Sequence, residues 1–174
     1  FYWKITGTHL RNVLDTIEYA VNEARTPSGE HAWVERLTTL LIPGLNDDDA
    51  RLHAEAAWIR EHCGPDVPLR FSAFHPAWKM TDVPPTPSGT LARARLIALE
   101  EGLRYAYTGN VRDPEGDATY CPNPDCRAKL IERDWYRISR IACPRPEAAM
   151  DDVLSAERRS PDAGRRWFAV HWDA

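Results

Sequence analysis

The first apolar pattern along the chain is that of an amphipathic helix. From Thr8 to Val21 apolar residues recur at spacings of three and four, which places them on one helical face. Thr8 follows Gly7 and can cap the helix through its side-chain oxygen. The pattern predicts a helix near the start of the chain. Its apolar positions are Leu10, Val13, Leu14, Ile17 and Val21.

Three later segments have the composition of short buried strands. They are residues 32–42 (AWVERLTTLLI), 69–75 (LRFSAFH) and 104–111 (RYAYTGNV). The first is apolar toward its carboxyl end and lies between turn residues, which is typical of a strand buried on both faces.

Helical segments separate these strands. Asn46 and the aspartates at 47–49 supply a cap and negative charge for the first turn of a helix reaching about His62. Capping accounts for this acidic run without a metal ion. Ser88 can cap a further helix, which Gly102 ends.

The alternation of helices and strands predicts an α/β fold with a parallel sheet over residues 1–113. Three strands cannot close a barrel, and a parallel sheet needs cover on both faces, so we expect part of a larger α/β barrel. From residue 114 the character changes to a cysteine-containing hairpin at 114–138 and then a divergent tail at 139–174.

Composition narrows the classes of partner. There are 22 Lys and Arg residues against 26 Asp and Glu, and the net charge is -4, with no basic stripe for nucleic acid. No apolar run approaches the roughly 20 residues that span a bilayer, and the chain does not open with a signal peptide. We expect a cytoplasmic protein without nucleic-acid or membrane partners. Neither a P-loop nor a G-x-S-x-G motif occurs.

Several ordered motifs resemble one enzyme family. They are LTTLLIPGLND at 37–47, RFSAFHPAWKM at 70–80, PPTP at 84–87 and ALEEGLRYAYTGNVRDPEGDATYCPN at 98–123, and KLIERDWYRI at 129–138 continues the likeness. In these segments the chain resembles the AmmeMemoRadiSam-system radical SAM enzymes. That family is related to glycyl-radical-enzyme activating proteins such as pyruvate formate-lyase activating enzyme.

The resemblance implies the carboxyl-terminal portion of a partial (β/α)6 barrel, followed by a small zinc-ribbon-like module. It implies cleavage of S-adenosylmethionine (SAM) at a [4Fe-4S] cluster, which yields a 5′-deoxyadenosyl radical. The family's C-x3-C-x2-C cluster loop is absent from this sequence. Phe1 stands in place of an initiator Met, so we expect the chain to begin inside a larger protein and to be inactive alone. Memo-like and AMMECR-like proteins are the partners that the family suggests, and the substrate is unknown.

The resemblance also assigns a cofactor site. Matching on the Pro-Gly after the first strand places Thr38 and Leu40 on the inward-facing side of that strand, in contact with SAM, and His75 at the end of the next strand. Two alternatives stay open, since His75 is equally a packing histidine before a proline and Thr38 can face a helix instead. Trp78 either packs or borders a substrate entrance.

The cysteines allow a second chemistry. Cys121 and Cys126 have the C-x4-C spacing of a zinc knuckle, and a tetrahedral site needs two more ligands, for which only Cys143 and His171 are candidates. A half-site and a filled zinc site therefore both remain open. The alternative to the enzyme is a zinc-ribbon-bearing adaptor module without catalysis. After residue 139 the likeness stops, and we expect a poorly ordered tail with at most one short helix at 147–158.

Overall fold

The computed structural model describes residues 2–25, 27, 29, 36–123, 125–134, 137–140 and 168–170. The chain divides into two compact units. One comprises Phe1–Asp113 with Arg166–Ala174, and the other comprises Pro114–Arg165. Within the described ranges no helix has both the length and the apolar character to cross a bilayer.

The first unit is built of alternating helices and strands. A short π-helix at Tyr2–Thr6 precedes α1. The other elements in chain order are α1 (Leu10–Asn22), β1 (Leu37–Leu41), α2 (Asp49–Cys63), β2 (Leu69–Ala73), α3 (Ser88–Glu100) and β3 (Ala106–Gly109). This order confirms the predicted α/β class.

The strands of this unit form one parallel sheet. Its order is β3-β2-β1-β7, where β7 is Phe168–Val170. β1 pairs with β2 on one side and with β7 on the other, and β3 pairs with β2. The described strands form an open sheet rather than a closed barrel. The sequence pattern did not predict β7, and the helix expected at 147–158 lies outside the described residues.

Side chains alternate between the two faces of the sheet. Along β1 and β2 every second residue is buried and the residues between are half-buried. The buried set packs with α2, α3 and Ile17 of α1 into one core. Its strand members are Leu37, Leu41, Leu69, Phe71, Ala73 and Ala106. The helices therefore cover this face of the sheet, and the half-buried residues lie on the opposite face.

The helix ends differ in part from those predicted. Asp48, not Asn46, caps α2, since its carboxylate accepts the backbone N–H of Arg51. Asn46 contacts the backbone of β1 instead. His9 rather than Thr8 occupies the N-cap of α1, and Pro87 rather than Ser88 that of α3, both without a side-chain capping bond.

Gly102 ends α3 as predicted. It has a φ of 96°, a conformation that side chains other than glycine rarely adopt. The N–H of Leu103 donates to Ala98 O and that of Gly102 to Leu99 O, which together form a Schellman motif. These bonds satisfy two carbonyls at the end of the helix and direct the chain into β3.

The second unit contains a small antiparallel sheet. Its strands are β4 (Thr119–Tyr120), β5 (Lys129–Asp134) and β6 (Arg137–Arg140), in that order. β5 and β6 form the hairpin that the sequence predicted. Buried Cys121, Leu130 and Ile131 form its small core.

Candidate functional site

The face of the parallel sheet opposite α2 and α3 is the candidate site, and we call it the distal face. Strand alternation assigns to it Thr38, Leu40, Arg70, Ser72, Tyr107 and Gly109. The pairing register sets Thr38 beside Arg70 and Leu40 beside Ser72, while Arg70 and Ser72 lie beside Tyr107 and Gly109. A patch of polar and apolar groups thus spans three neighbouring strands.

Side-chain amides and a hydroxyl hold the carboxyl ends of these strands in place. Buried Asn46 accepts the N–H of Ile42 at 2.7 Å and donates to Leu40 O at 2.9 Å. Asn110, at the end of β3, accepts from Ala73 N at 2.7 Å and donates to Ala73 O at 2.9 Å. Both amides replace backbone partners where the strand pairing stops.

Thr86 joins β1 and β2 at the same edge. Its buried hydroxyl donates to Leu41 O at 2.6 Å and accepts from Phe74 N at 2.9 Å. The N–H of Thr86 donates to Phe74 O at 3.0 Å, so the β2–α3 loop is fastened to both strands. Ligands bind at the carboxyl ends of strands in parallel α/β folds, and here that edge is rigidly held.

Two of the three predicted SAM-site residues lie on the distal face. Thr38 and Leu40 are both half-buried and lie on the side of β1 away from α2 and α3. The Oγ1 of Thr38 is buried and has no hydrogen-bond partner in the described part of the chain. A buried hydroxyl without a partner costs about 1–3 kcal/mol, which a bound ligand can recover.

His75 lies apart from the strand positions. It follows buried Phe74, two residues beyond the end of β2, and is exposed. Trp78 in the same loop is 84% exposed, has a φ of 49°, and its ring receives the Lys79 ammonium at 4.4 Å. The loop therefore presents an imidazole and an indole to solvent. At that exposure Trp78 does not pack as a core residue.

The polar residues of the distal face on β2 and β3 were not predicted from the sequence. The pairing register places Arg70 beside Thr38 and Ser72 beside Leu40, and it places Tyr107 on the far side of Arg70. The alternation of residues in 69–75 could have indicated them, because polar Arg70 and Ser72 alternate there with apolar Leu69 and Phe71. These groups can bind and orient a ligand.

A buried carboxyl on the helical side was also missed. Glu55 of α2 is 1% exposed, and the hydroxyl of Thr39 in β1 donates to its Oε1. Burial raises the pKa of Glu55 to about 8, and the Thr39 hydrogen bond opposes that rise only in part. The carboxyl is therefore neutral at pH 7. It lies on the face opposite Thr38, so it belongs to the core rather than to the candidate site.

The cysteine pair lies in the β4–β5 connection. The N–H of Cys121 donates to Ala128 O, and those of Cys126 and Arg127 donate to Asn123 O. Cys126 packs against the small core that contains Cys121, and neither forms a disulfide. Cys143 and His171, the other candidate ligands, lie outside the described residues. Within the described ranges no group of three or more His, Cys, Asp or Glu side chains could hold a metal ion.

Comparison with known proteins yields one archaeal relative. No family model matches the chain, and no solved structure matches it. The chain is similar to the uncharacterized protein MJ0808 of Methanocaldococcus jannaschii, with 46% identity over 133 residues. The match covers 76% of this chain and 37% of the relative, so the chain spans little more than a third of that protein's length. The relative's name states no activity, and none follows from the similarity.

Proposed function

We propose that this chain is the carboxyl-terminal part of a radical SAM enzyme of the AmmeMemoRadiSam type. In the longer polypeptide a [4Fe-4S] cluster would supply the electron that cleaves SAM into methionine and a 5′-deoxyadenosyl radical. This chain would contribute the wall of the pocket that holds the adenosyl part of SAM. The substrate from which the radical takes hydrogen is unidentified.

The observation that carries the proposal is the arrangement of β1. The two residues that the family motif assigns to SAM, Thr38 and Leu40, share the distal face of a parallel sheet. The Thr38 hydroxyl is buried and has no hydrogen-bond partner among the described residues, as expected for a group that a ligand satisfies. Leu40 offers an apolar surface next to Ser72. A hydroxyl beside an apolar side chain suits a nucleoside.

The cluster itself does not fit the described residues. Cys63 lies on α2, whereas Cys121 and Cys126 belong to the second unit. Burial raises the pKa of the Cys63 thiol to about 11, and the Glu18 carboxylate adds to that rise. Cluster ligands are thiolates, so Cys63 is a poor candidate. Within the proposal, the ligands belong to another segment of the longer polypeptide.

The test uses the longer polypeptide that the coding sequence around this chain specifies. After anaerobic reconstitution with iron and sulfide, we expect one [4Fe-4S] cluster per protein and formation of 5′-deoxyadenosine from SAM on reduction. Thr38→Val should raise the KM for SAM severalfold at unchanged cluster content, because the pocket loses a hydroxyl. Thr81→Val, in an exposed loop, serves as the control. Full reconstitution without SAM cleavage, or an unchanged KM in Thr38→Val, would contradict the proposal.

The cysteine pair supports a second candidate, a zinc-bearing adaptor module without catalysis. Cys126 packs against the small core that contains Cys121, and the C-x4-C spacing suits two ligands of one metal. Metal analysis of the purified chain separates the possibilities. One zinc per chain that is lost in Cys121→Ser supports a filled site, whereas zinc far below one per chain supports a half-site. Zinc with no SAM cleavage by the longer polypeptide would favour the adaptor.

A further inference from the structure

We propose that Glu55 is a positioning residue: through the Thr39 hydroxyl its buried carboxyl fixes the location of β1, and with it that of Thr38 on the distal face. The link between the core and the distal face follows from the geometry of β1. Only its consequence for SAM binding rests on the proposed function.

The strand β1 carries the two groups on opposite sides. Thr39 is buried and faces the core, whereas its neighbours Thr38 and Leu40 lie on the distal face. A strand of five residues is stiff, because each peptide unit is planar and the pairing with β2 holds it extended. A displacement of Thr39 toward or away from α2 therefore carries Thr38 and Leu40 with it.

The hydrogen bond between Thr39 and Glu55 is a directional contact in a largely apolar core. The Thr39 hydroxyl donates to Oε1 of Glu55, and the two residues are 0% and 1% exposed. The core around them contains Leu41, Leu52 and Phe71. Apolar packing has little directionality, whereas a hydrogen bond requires a defined distance and angle. The bond therefore defines the position of β1 relative to α2.

The Glu55 carboxyl has no counter-charge among the described residues of its own helix and of the sheet. Arg51, one turn earlier on α2, pairs with Asp48. The core positions of β1, β2 and β3 carry no titratable side chain. Burial and the Thr39 hydrogen bond are the two causes that set the pKa of Glu55 at about 8.

The helices α1 and α3 also present apolar residues to this core. Ile17 is the buried residue of α1, and those of α3 are Leu91, Ala94, Ile97 and Ala98. Their charged side chains lie elsewhere: Arg11 pairs with Asp15, Glu18 lies near Cys63, Arg93 pairs with Asp49, Arg95 donates to Ala106 O, and Glu100 is exposed. Within the described ranges, Thr39 is therefore the polar partner on which the Glu55 carboxyl depends.

Loss of the Glu55 proton would pull on β1. A carboxylate accepts a hydrogen bond from a hydroxyl more strongly than a neutral carboxyl does, so the bond to Thr39 persists. A buried charge without a counter-charge is costly, and the side chain relieves that cost by shifting toward water. Thr39 moves with the carboxylate, and the distal face is rearranged. At pH 7 the carboxyl is neutral, so β1 stays in place.

Methyl NMR of the 174-residue chain with labelled threonine tests this coupling. As the pH is raised from about 6 to about 9, we expect the Thr38 and Thr39 methyl signals to shift together, with a common midpoint at about 8. In Glu55→Gln both signals should be independent of pH over this range. Glu61→Gln, an exposed change on the same helix, should titrate like the wild type.

Thr39→Val separates the hydrogen bond from the charge. Valine keeps the shape of the side chain but removes the donor that favours the ionised carboxyl. The midpoint of the Thr38 signal should therefore rise, and the size of its shift should fall at least twofold because β1 is no longer bonded to the carboxylate. Thr81→Val, in an exposed loop, is the matched control and should leave both quantities unchanged.

Three results would overturn the inference. One is a Thr39 signal that titrates while the Thr38 signal does not, since Glu55 would then act on the core alone. The second is an unchanged titration in Glu55→Gln. The third is a simultaneous collapse of the Thr38 and Thr86 signals to random-coil positions, since the carboxyl would then govern the whole fold rather than β1.

The longer polypeptide tests the consequence for SAM. Its KM for SAM should rise severalfold between pH 7 and pH 9, and in Glu55→Gln it should change less than twofold at equal cluster content. The NMR titration contains neither cluster nor SAM, so it is independent of the test of the proposed function. Coupled Thr38 and Thr39 signals without SAM cleavage would support the positioning role and contradict the proposed function. SAM cleavage with a Thr38 signal that does not titrate would refute the positioning role alone.

Discussion

Glu55 has a neutral carboxyl at pH 7 because helix and sheet remove it from water. Its side chain extends from α2 into the core, where the Thr39 hydroxyl donates a hydrogen bond to it. The cost of burying a charge there raises its pKa to about 8. Leu52, Ala56 and Ile59 form the buried apolar stripe of the same helix. From the sequence alone a glutamate between these residues is predicted to face solvent, and only the packing shows that Glu55 is buried.

Replacement of Glu55 by Gln should remove a pH dependence of stability. The unfolded carboxyl titrates near 4.5 and the folded one near 8, so between these values the unfolded chain releases a proton that the folded chain keeps. Raising the pH through this window therefore destabilises the wild type. Each pKa unit corresponds to about 1.4 kcal/mol, so we expect a loss of a few kcal/mol relative to Glu55→Gln.

Urea denaturation at several values between pH 5 and 9 measures this effect. Glu61→Gln, an exposed change on the same helix, should follow the wild type at every pH. Parallel stability curves for wild type and Glu55→Gln would show that the carboxyl ionises normally in the folded protein.

At the scale of elements, polar side chains that apolar periodicity does not identify hold the loops to the strand ends by hydrogen bonds. Asn46, predicted as a helix cap, bonds the end of β1 instead, while Asp48 caps α2. Asn110 bonds the end of β2, and Thr86 joins β1 to the β2–α3 loop. Capping, turn and strand-end functions use the same residue types, so only the fold separates them.

Replacement of Thr86 by Val should destabilise the sheet edge. Valine has the same shape but leaves Leu41 O without its hydroxyl donor and Phe74 N without its hydroxyl acceptor. Removing one side of a buried hydrogen bond costs about 1–3 kcal/mol. Urea denaturation should show a loss of this size, against almost none for Thr81→Val in the same loop. Equal stability of the two variants would mean that the hydroxyl does not hold the edge.

At the scale of the whole molecule, the sheet is open and its candidate site is only partly enclosed by described elements. Four parallel strands form it, and β7 comes from the far end of the chain. Residues 37–39 pair with residues 168–170, which are far away in the chain. The apolar pattern of neither segment indicates this pairing. The relative of Methanocaldococcus jannaschii is longer, since the match covers 37% of it.

This polypeptide alone should bind neither SAM nor an iron-sulfur cluster with useful affinity. The described residues provide one wall of the proposed pocket and no set of metal ligands. Reconstitution of the chain with iron and sulfide, followed by iron analysis and equilibrium dialysis with SAM, checks this. A stoichiometric cluster with SAM cleavage on reduction would show that the chain is sufficient by itself.

The order of helices and strands from α1 to β3, the α/β class and the β5–β6 hairpin were determined by the sequence alone. They follow from apolar periodicity and from Gly and Pro signals, which act over a few residues. The family resemblance predicted that Thr38 and Leu40 share one side of β1, and in the sheet both lie on the distal face. Only the tertiary structure showed which residues of the other strands lie beside Thr38 and Leu40 on that face. Three features depend on residues that are far apart in the chain: the contact of Arg70 with Gly109, the fourth strand of the sheet and the burial of Glu55. The sequence pattern does not show them, because pairing register and packing exist only after folding.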